Sequence, residues 1–569
     1  MQEEIDKIIA WAAKWKMKVN ADKTKSMVIS SSSSDRKWDP QLTTDSKPID
    51  QVQLYKFLGV TVDSDLRFRS HVETIVDRCR KRNRVLKCMA SKDWGNSLET
   101  QRTIYLQYTR PALEYNSPSW SPWTSDAARK SLQRVQNDAL RAVVGLTART
   151  PIDFVHLEAN VEPLKDRFGK NNLLLREKYK RLSANDERRK LLEKKAGVRL
   201  KTRKGLRHAI SETPDTLLQY KVEEIKPPLP PWRSTGLLFD AVELEKKKEQ
   251  YTTEELRMMA EEKVGKIESE VIIYTDGSTD GDQNRGGAGV YIRDRRTGNE
   301  ITRSFAAGEI CSSYAAESVA LLRALEWLEE NSPETATICT DSMSIHEALA
   351  NDNWKDAQDW VRKVKEKSYV LTVKITITIL WIPSHCGCEG NEIADQLASE
   401  GTKLDQTDIP ITHAIAQARV RKRKWSVSHA RAKDIYRERR KPKYDEEKEW
   451  PRAVRSLYAR LRTGHAKELK EYRYVIEIED DPFCICGEPE TIQHVLCDCP
   501  VLDLVRRSMF EGPVELRDLV SKPEKCRSML SHRFPKLKLK KAITGNPFAE
   551  DQPLMGRLRR QRGFVATHA

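Results

Sequence analysis

The sequence predicts a multidomain chain built around an α/β domain with a mixed five-stranded sheet and flanking helices. Three observations lead there. The chain has 569 residues, too many for one core and enough for roughly three or four domains. The run Lys226-Pro-Pro-Leu-Pro-Pro-Trp232 cannot be helical and marks a stiff linker. Beyond it, from Val271, apolar runs and amphipathic periods follow in the order βββαβααβα, which builds a mixed sheet with helices on its faces.

Each element follows from local pattern. Ile5, Ile8, Ile9 and Ala12 recur at helical spacing, and residues 54–60 read as a short strand ending in a turn. Val72, Ile75, Val76 and Cys79 line one face of a helix over 71–86, and Leu132, Val135, Ala139, Leu140 and Val143 mark another. Residues 165–204 are charge-dense and read as solvated helix. In the central domain, residues 271–274, 288–292, 301–305, 337–340 and 370–381 read as strands. Residues 315–330, 342–350, the stretch after 353 and the segment from Asn391 read as helices. Further on come a basic helical stretch at 419–443, a helix near Leu457, a cysteine cluster, and basic runs at 536–541 and 557–562. The boundaries drawn are 1–165, 166–268, 269–402, 403–470, 471–510 and 511–569.

Hydrophobic residues make up 38% of the chain, enough for packed cores, and 32% are charged, which suits long solvated helices and linkers. The balance of 100 basic against 84 acidic residues, net +16, favours polyanions, nucleic acid first among them. No run of about 18 apolar residues occurs to span a membrane. Residues 1–25 lack the apolar core of a signal peptide, so an intracellular location is expected, nuclear or cytoplasmic. The 11 cysteines are scattered except Cys484, Cys486, Cys497 and Cys499, and clustering in a chain that is not secreted points to metal rather than disulfides.

Four acids stand out in the central domain. Asp276 follows the first strand in Tyr274-Thr-Asp-Gly-Ser278, and Asp341 ends the fourth. Glu317 shares the inward stripe of its helix with Leu321, Ala324, Leu325 and Leu328, where an acid is costly unless paired or bound to metal. Asp395 lies in the first turns of the last helix. Singly, each has a plain structural explanation: a turn for Asp276, the helix dipole for Glu317 and Asp395, an N-cap for Asp341. Jointly, two strand-end acids and two acids near helix starts can converge on one sheet edge. Divalent cations compensate their repulsion, and hard oxygen ligands suit Mg²⁺ or Mn²⁺. Two such ions, roughly 3.5–4 Å apart, can activate a water and stabilise the leaving oxygen of a phosphodiester.

These residues resemble the type 1 ribonuclease H family over about 130 residues. The matching pieces are Tyr274-Thr-Asp-Gly-Ser278, Gly286-Gly-Ala-Gly289, Ala316-Glu-Ser318, Thr340-Asp-Ser342, Trp381-Ile-Pro-Ser-His385 and Gly390-Asn-Glu-Ile-Ala-Asp395. The resemblance implies that Asp276, Glu317, Asp341 and Asp395 hold the metals and that His385 is the mobile histidine assisting product release or proton transfer. A lone histidine there is otherwise an ordinary surface residue. Cys386 and Cys388 depart from the hydrophobic or small residues usual in that loop. The implied reaction cuts RNA paired to DNA, leaving a 3′-hydroxyl and a 5′-phosphate, with selectivity resting on the RNA 2′-hydroxyl.

The flanks resemble non-LTR retrotransposon polyproteins. Ile8-Ile-Ala-Trp11, Lys16-Met-Lys-Val-Asn20-Ala-Asp-Lys23-Thr-Lys25 and Phe57-Leu-Gly59-Val-Thr-Val-Asp63 are similar to the end of a reverse transcriptase palm. Residues up to about 167, with Arg110-Pro-Ala-Leu-Glu-Tyr115, are similar to its helical thumb. No Tyr-x-Asp-Asp occurs, so a truncated polyprotein without polymerase catalytic motifs is expected. Leu461-Arg-Thr-Gly464-His465 and Cys484-Ile-Cys486-Gly487 with His494 and Cys499 resemble the C-terminal segment of jockey-like elements. A Cys-x-Cys pair followed by His and Cys suits a tetrahedral zinc site, in a zinc-knuckle-like region, unless these are buried unliganded cysteines. The fourth ligand is open on spacing, because Cys497 and Cys499 both follow His494 within reach; the resemblance favours the cysteine before the proline, Cys499. The expected function is ribonuclease H, with RNA–DNA hybrid, element RNA or target DNA as partners. The alternative is a non-catalytic nucleic-acid-binding remnant, against which the four intact acids argue.

Overall fold

The computed structural model describes residues 1–44, 47–91, 94–193, 205–211, 234–246, 248–281, 285–309, 311–351, 359–406, 411, 413–422, 447–448, 450–512 and 514–516. The proline run at 226–232, most of the basic stretch at 419–443, and the basic runs at 536–541 and 557–562 lie outside the described residues. Two compact units emerge, one formed by residues 168–424 and the other by 1–167 together with 425–569. The segment 403–470 is thus divided between them. Among the described residues no helix is long and apolar enough to cross a membrane.

The 168–424 unit carries the predicted α/β domain. Its strands are β1 (Leu238–Ala241), β2 (Val271–Thr279), β3 (Gly286–Asp294), β4 (Asn299–Gly308), β5 (Thr335–Thr340) and β6 (Thr376–Trp381). Its helices are α1 (Thr253–Gly265), α2 (Ser313–Asn331), α3 (Met343–Ala350), α4 (Asp359–Leu371) and α5 (Glu389–Gly401). The sheet order is β4-β3-β2-β5-β6-β1. Strands β2 to β4 form antiparallel pairs, while β2-β5, β5-β6 and β6-β1 are parallel.

Sandwiching explains the near-continuous apolar runs of the central strands. On one face Val271, Ile273, Ile338, Ile377 and Ile379 pack with Leu321, Leu325 and Leu328 of α2, Leu349 of α3 and Val364 of α4. On the other, Ile272, Tyr274, Leu380 and Trp381 pack with Leu256 and Ala260 of α1 and Ala394 of α5. Each such large side chain, fully buried, contributes about 1.5–3 kcal/mol.

Two expectations need correction. The sheet has six strands, not five: β1, a strand within the segment assigned to charged helix and linker, pairs with β6. Its four residues alternate between exposed and half-buried, so it carries little apolar signal. The last predicted strand is also too long. Residues 370–371 end α4, with Leu371 buried on the helix's apolar face and Val370 and Val373 exposed, and the strand begins only at Thr376.

In the other unit, Val72, Ile75, Val76 and Cys79 are buried on the helix Arg69–Met89, as their spacing predicts. The helix Asp126–Val144 starts on a Ser125 cap and stops at Gly145 in the left-handed conformation. The strand Leu54–Phe57 turns at Leu58 and Gly59, both at positive φ, into Val60–Asp63, a two-residue hairpin of the favoured kind. The C-terminal helix Arg452–Thr463 buries four arginines, Arg452, Arg455, Arg460 and Arg462, among these N-terminal helices. Glu158, fully buried, takes Arg462 Nη2 at 2.7 Å and Arg455 Nη2 at 2.9 Å, and Glu447 takes Arg462 Nη1 at 2.6 Å.

Candidate active site

The carboxylates are gathered by strand register. Thr275 of β2 pairs with Thr340 of β5, and the two strands run parallel, so Asp276 and Asp341 each stand one residue past the same rung. The carboxyl ends of parallel strands are where open α/β sheets place their sites. Glu317 arrives from α2, whose start is capped by Ser312 accepting from the Ala315 amide at 3.2 Å. Gly277 makes that approach possible, since a Cβ there would lie 2.1 Å from the Glu317 amide nitrogen. Asp395 arrives on α5, which lies against β3 at Gly289, where a Cβ would lie 2.0 Å from the Ala394 carbonyl oxygen.

Ligand oxygens of Asp276, Glu317 and Asp341 lie within 4.8 Å of one another. Asp395 lies outside that set of three, yet near enough that its charge helps raise Asp276. Asp341 is not an N-cap. Its Oδ2 accepts from Asn391 Nδ2 at 3.4 Å, its carbonyl accepts from Trp381 Nε1 at 3.1 Å, and the cap position of α3 belongs to Ser342. Asn391, within Gly390-Asn-Glu-Ile-Ala-Asp395, is a further residue of the site that the sequence pattern does not single out. His385 is exposed, at φ 52°, on the loop between β6 and α5. The two unusual cysteines of that loop, Cys386 and Cys388, are buried in the cluster around Trp381.

The crowding leaves an electrostatic signature. Burial, then the charges of Asp341 and Asp395, push Asp276 up to about 7. Burial and the neighbouring Asp276 and Asp341 hold Glu317 well above the usual carboxylate range. Asp341 is raised by burial, which outweighs the Asn391 hydrogen bond and the positive influence of His385 and Lys248. Glu317 Oε2 is buried without a hydrogen-bond partner. An unpaired buried carboxylate oxygen beside two more acids fits a cation better than it fits the protein alone.

A second group of ligand atoms forms in the other unit. Cys484 Sγ lies 3.9 Å from Cys499 Sγ, Cys486 Sγ lies 3.1 Å from His494 Nε2, and all four ligand atoms are within 4.8 Å of one another. The turn His494–Asp498 is π-helical, and the Cys499 amide donates to the His494 carbonyl at 2.6 Å. That wider turn brings the fifth residue after His494 back to the histidine's side, whereas Cys497 stays outside the group, its thiol pushed up to about 11 by burial.

A mixed sheet whose parallel strands deliver two aspartates to one edge, met there by acids from two helices, has the architecture of a ribonuclease H domain. The family model for ribonuclease H matches residues 268–403. Ribonuclease H of Jannaschia sp. is 32% identical over 146 residues, which are 23% of this chain and 90% of that protein. The chain belongs to the ribonuclease H family. It is also similar to the probable RNA-directed DNA polymerase from transposon BS of Drosophila melanogaster, 24% identical over 174 residues, 30% of this chain and 19% of the relative. It thus spans about a fifth of the length of the curated transposon polymerases it matches, and its makeup is that of a retrotransposon polyprotein with a ribonuclease H domain. Among solved structures, LC11-RNase H1 in complex with RNA/DNA hybrid is 27% identical with a TM-score of 0.21, covering 23% of this chain and 96% of that one.

Proposed function

We propose that residues 268–403 hydrolyse the RNA strand of RNA–DNA hybrids with two divalent cations held by Asp276, Glu317, Asp341 and Asp395. The observation that carries this reading is the convergence of three carboxylates within 4.8 Å around a buried, unpartnered Glu317 oxygen. Bound Mg²⁺ or Mn²⁺ supplies an activated water and charge stabilisation on the leaving oxygen. The chain's own contribution is rigidity: the β2-β5 rung fixes Asp276 and Asp341, Gly277 admits Glu317, and Asn391 orients Asp341. His385, exposed on its loop, is suited to move a proton or release product. The products are a 3′-hydroxyl and a 5′-phosphate. Zn²⁺ is proposed at Cys484, Cys486, His494 and Cys499, where soft sulfur and imidazole ligands are grouped as zinc prefers. The test is cleavage of an end-labelled RNA–DNA hybrid with Mg²⁺ and with EDTA, beside duplex RNA and duplex DNA. Mg²⁺-dependent cutting confined to the hybrid supports the reading. Hybrid binding without cutting supports a non-catalytic role instead.

A further inference from the structure

The arm before the matched domain reaches the edge of the carboxylate site. Strand β1 extends the sheet beside β6, with Ala241 paired to Trp381, and the Val242 amide donates to the Trp381 carbonyl at 3.0 Å. A few residues later α1 begins on a capping box between Thr252 and Glu255, and its Leu256 and Ala260 pack against Trp381, Ile382 and Cys386. Between these two anchors lies the short 3₁₀ turn Lys248–Gln250, which meets the loop after Trp381 at Ser384. There the Lys248 ammonium donates a hydrogen bond to Ser384 Oγ. Among the described residues Lys248 makes no ion pair.

The loop needs such a support. His385 sits at φ 52°, a left-handed conformation that L residues disfavour, and Gly387 follows at φ 78°. Such strain persists where the surroundings over-determine it. Downstream, the Gly387 amide donates to Glu392 Oε1 at 3.2 Å and Cys388 begins α5. Upstream of the histidine, Ser384 is the adjacent residue, and its hydroxyl is taken by Lys248.

We infer that Lys248 is a positioning residue, whose bond to Ser384 holds the loop that carries His385 beside Asp341. The inference rests on the ribonuclease H reading for its catalytic consequence but not for its geometry. Lys248 lies outside the matched residues 268–403, so the arm is a working part of the site rather than a tether. Its charge also acts favourably on ionised Asp341.

The test uses the full chain with Lys248→Met, Lys248→Arg, Ser384→Ala and the Lys248→Met/Ser384→Ala pair. For hybrid cleavage, Lys248→Met and Ser384→Ala each lower kcat about ten- to hundredfold with KM unchanged, the size expected of a misplaced group. The double variant is no worse than either single one, because both remove the same bond. Lys248→Arg, which can still donate to Ser384, recovers most of the rate. Hydrogen exchange in residues 384–388 reads the loop without catalysis, and it quickens in Lys248→Met and Ser384→Ala but not in Lys248→Arg. Failure of the unmutated chain to cut hybrid would remove the ribonuclease reading and leave the exchange result to decide the loop. Unchanged exchange in Lys248→Met overturns the inference. So does a wild-type rate in Ser384→Ala alongside a raised KM and a shallower salt dependence in Lys248→Met, which would make Lys248 a phosphate contact.

Discussion

Asp276 is a carboxyl whose neighbours resist its ionisation. Burial and the charges of Asp341 and Asp395 raise it to about 7, and Glu317 is shifted the same way. In metal-free protein a folded pKa above the unfolded value, about 3.9, means that the folded state binds more protons between the two. Unfolding free energy therefore falls as pH rises from about 4 to about 7, by on the order of a few kcal/mol. Bound cations reverse the preference, because they favour the ionised acids. Urea unfolding in EDTA at pH 5 and at pH 7.5 should show the domain less stable at the higher pH, with the loss smaller in Asp276→Asn and removed by Mg²⁺. Equal pH dependence in both proteins would mean that the acids do not strain one another.

At the scale of elements, the close approach of β3 and α5 is the sharpest constraint. A methyl at Gly289 would lie 2.0 Å from the Ala394 carbonyl oxygen, next to Asp395. Gly289→Ala should lower stability by about 1–3 kcal/mol, as overpacking does, and should reduce cleavage further than the unfolded fraction explains, because α5 carries Asp395. Denaturation midpoints and rates on the same preparation check both parts. In the cysteine turn, Cys499→Ser should remove bound zinc while Cys497→Ser leaves it near one equivalent, by metal analysis of the purified proteins. Zinc lost only in Cys497→Ser would transfer the ligand role.

The central strands and α2 were legible in the sequence because burial on both faces writes itself as unbroken apolar runs and as an inward stripe. The four acids stand out in the sequence through the motifs they sit in and, for Glu317, through its place on an inward helical stripe; the structure groups three of them, with Asp395 outside the set. Strand β1 was not legible, being four residues long and half-exposed. Asn391 and Lys248 act through single hydrogen bonds, which leave no periodic trace. Spacing alone left Cys497 and Cys499 open and only the resemblance favoured Cys499; the π turn at His494–Asp498 supplies the physical reason that Cys499 joins the group.

At the scale of the whole molecule, the C-terminal helix Arg452–Thr463 is a structural part of the unit that begins at residue 1. Arg455 and Glu158 meet across 297 residues of sequence, a separation at which local pattern carries no information. Burial alone would raise Glu158, yet Arg462 and Arg455 pull it down to about 2. Glu158→Gln should destabilise that unit by about 3–5 kcal/mol, because it leaves buried guanidinium groups short of charge, and it should leave the unfolding of residues 168–424 unaltered. A single cooperative loss in both units would contradict that division.

The central claim is that this chain's four carboxylates cut RNA in a hybrid, and Asp276→Asn in the full 569-residue chain tests it most directly. The measurement is cleavage of a labelled RNA–DNA hybrid in Mg²⁺ alongside hybrid affinity and folding of the same samples. The account predicts that cleavage is abolished while affinity and fold stay close to those of the unmutated protein. A correctly folded Asp276→Asn variant that still cuts the hybrid at a substantial rate would contradict it.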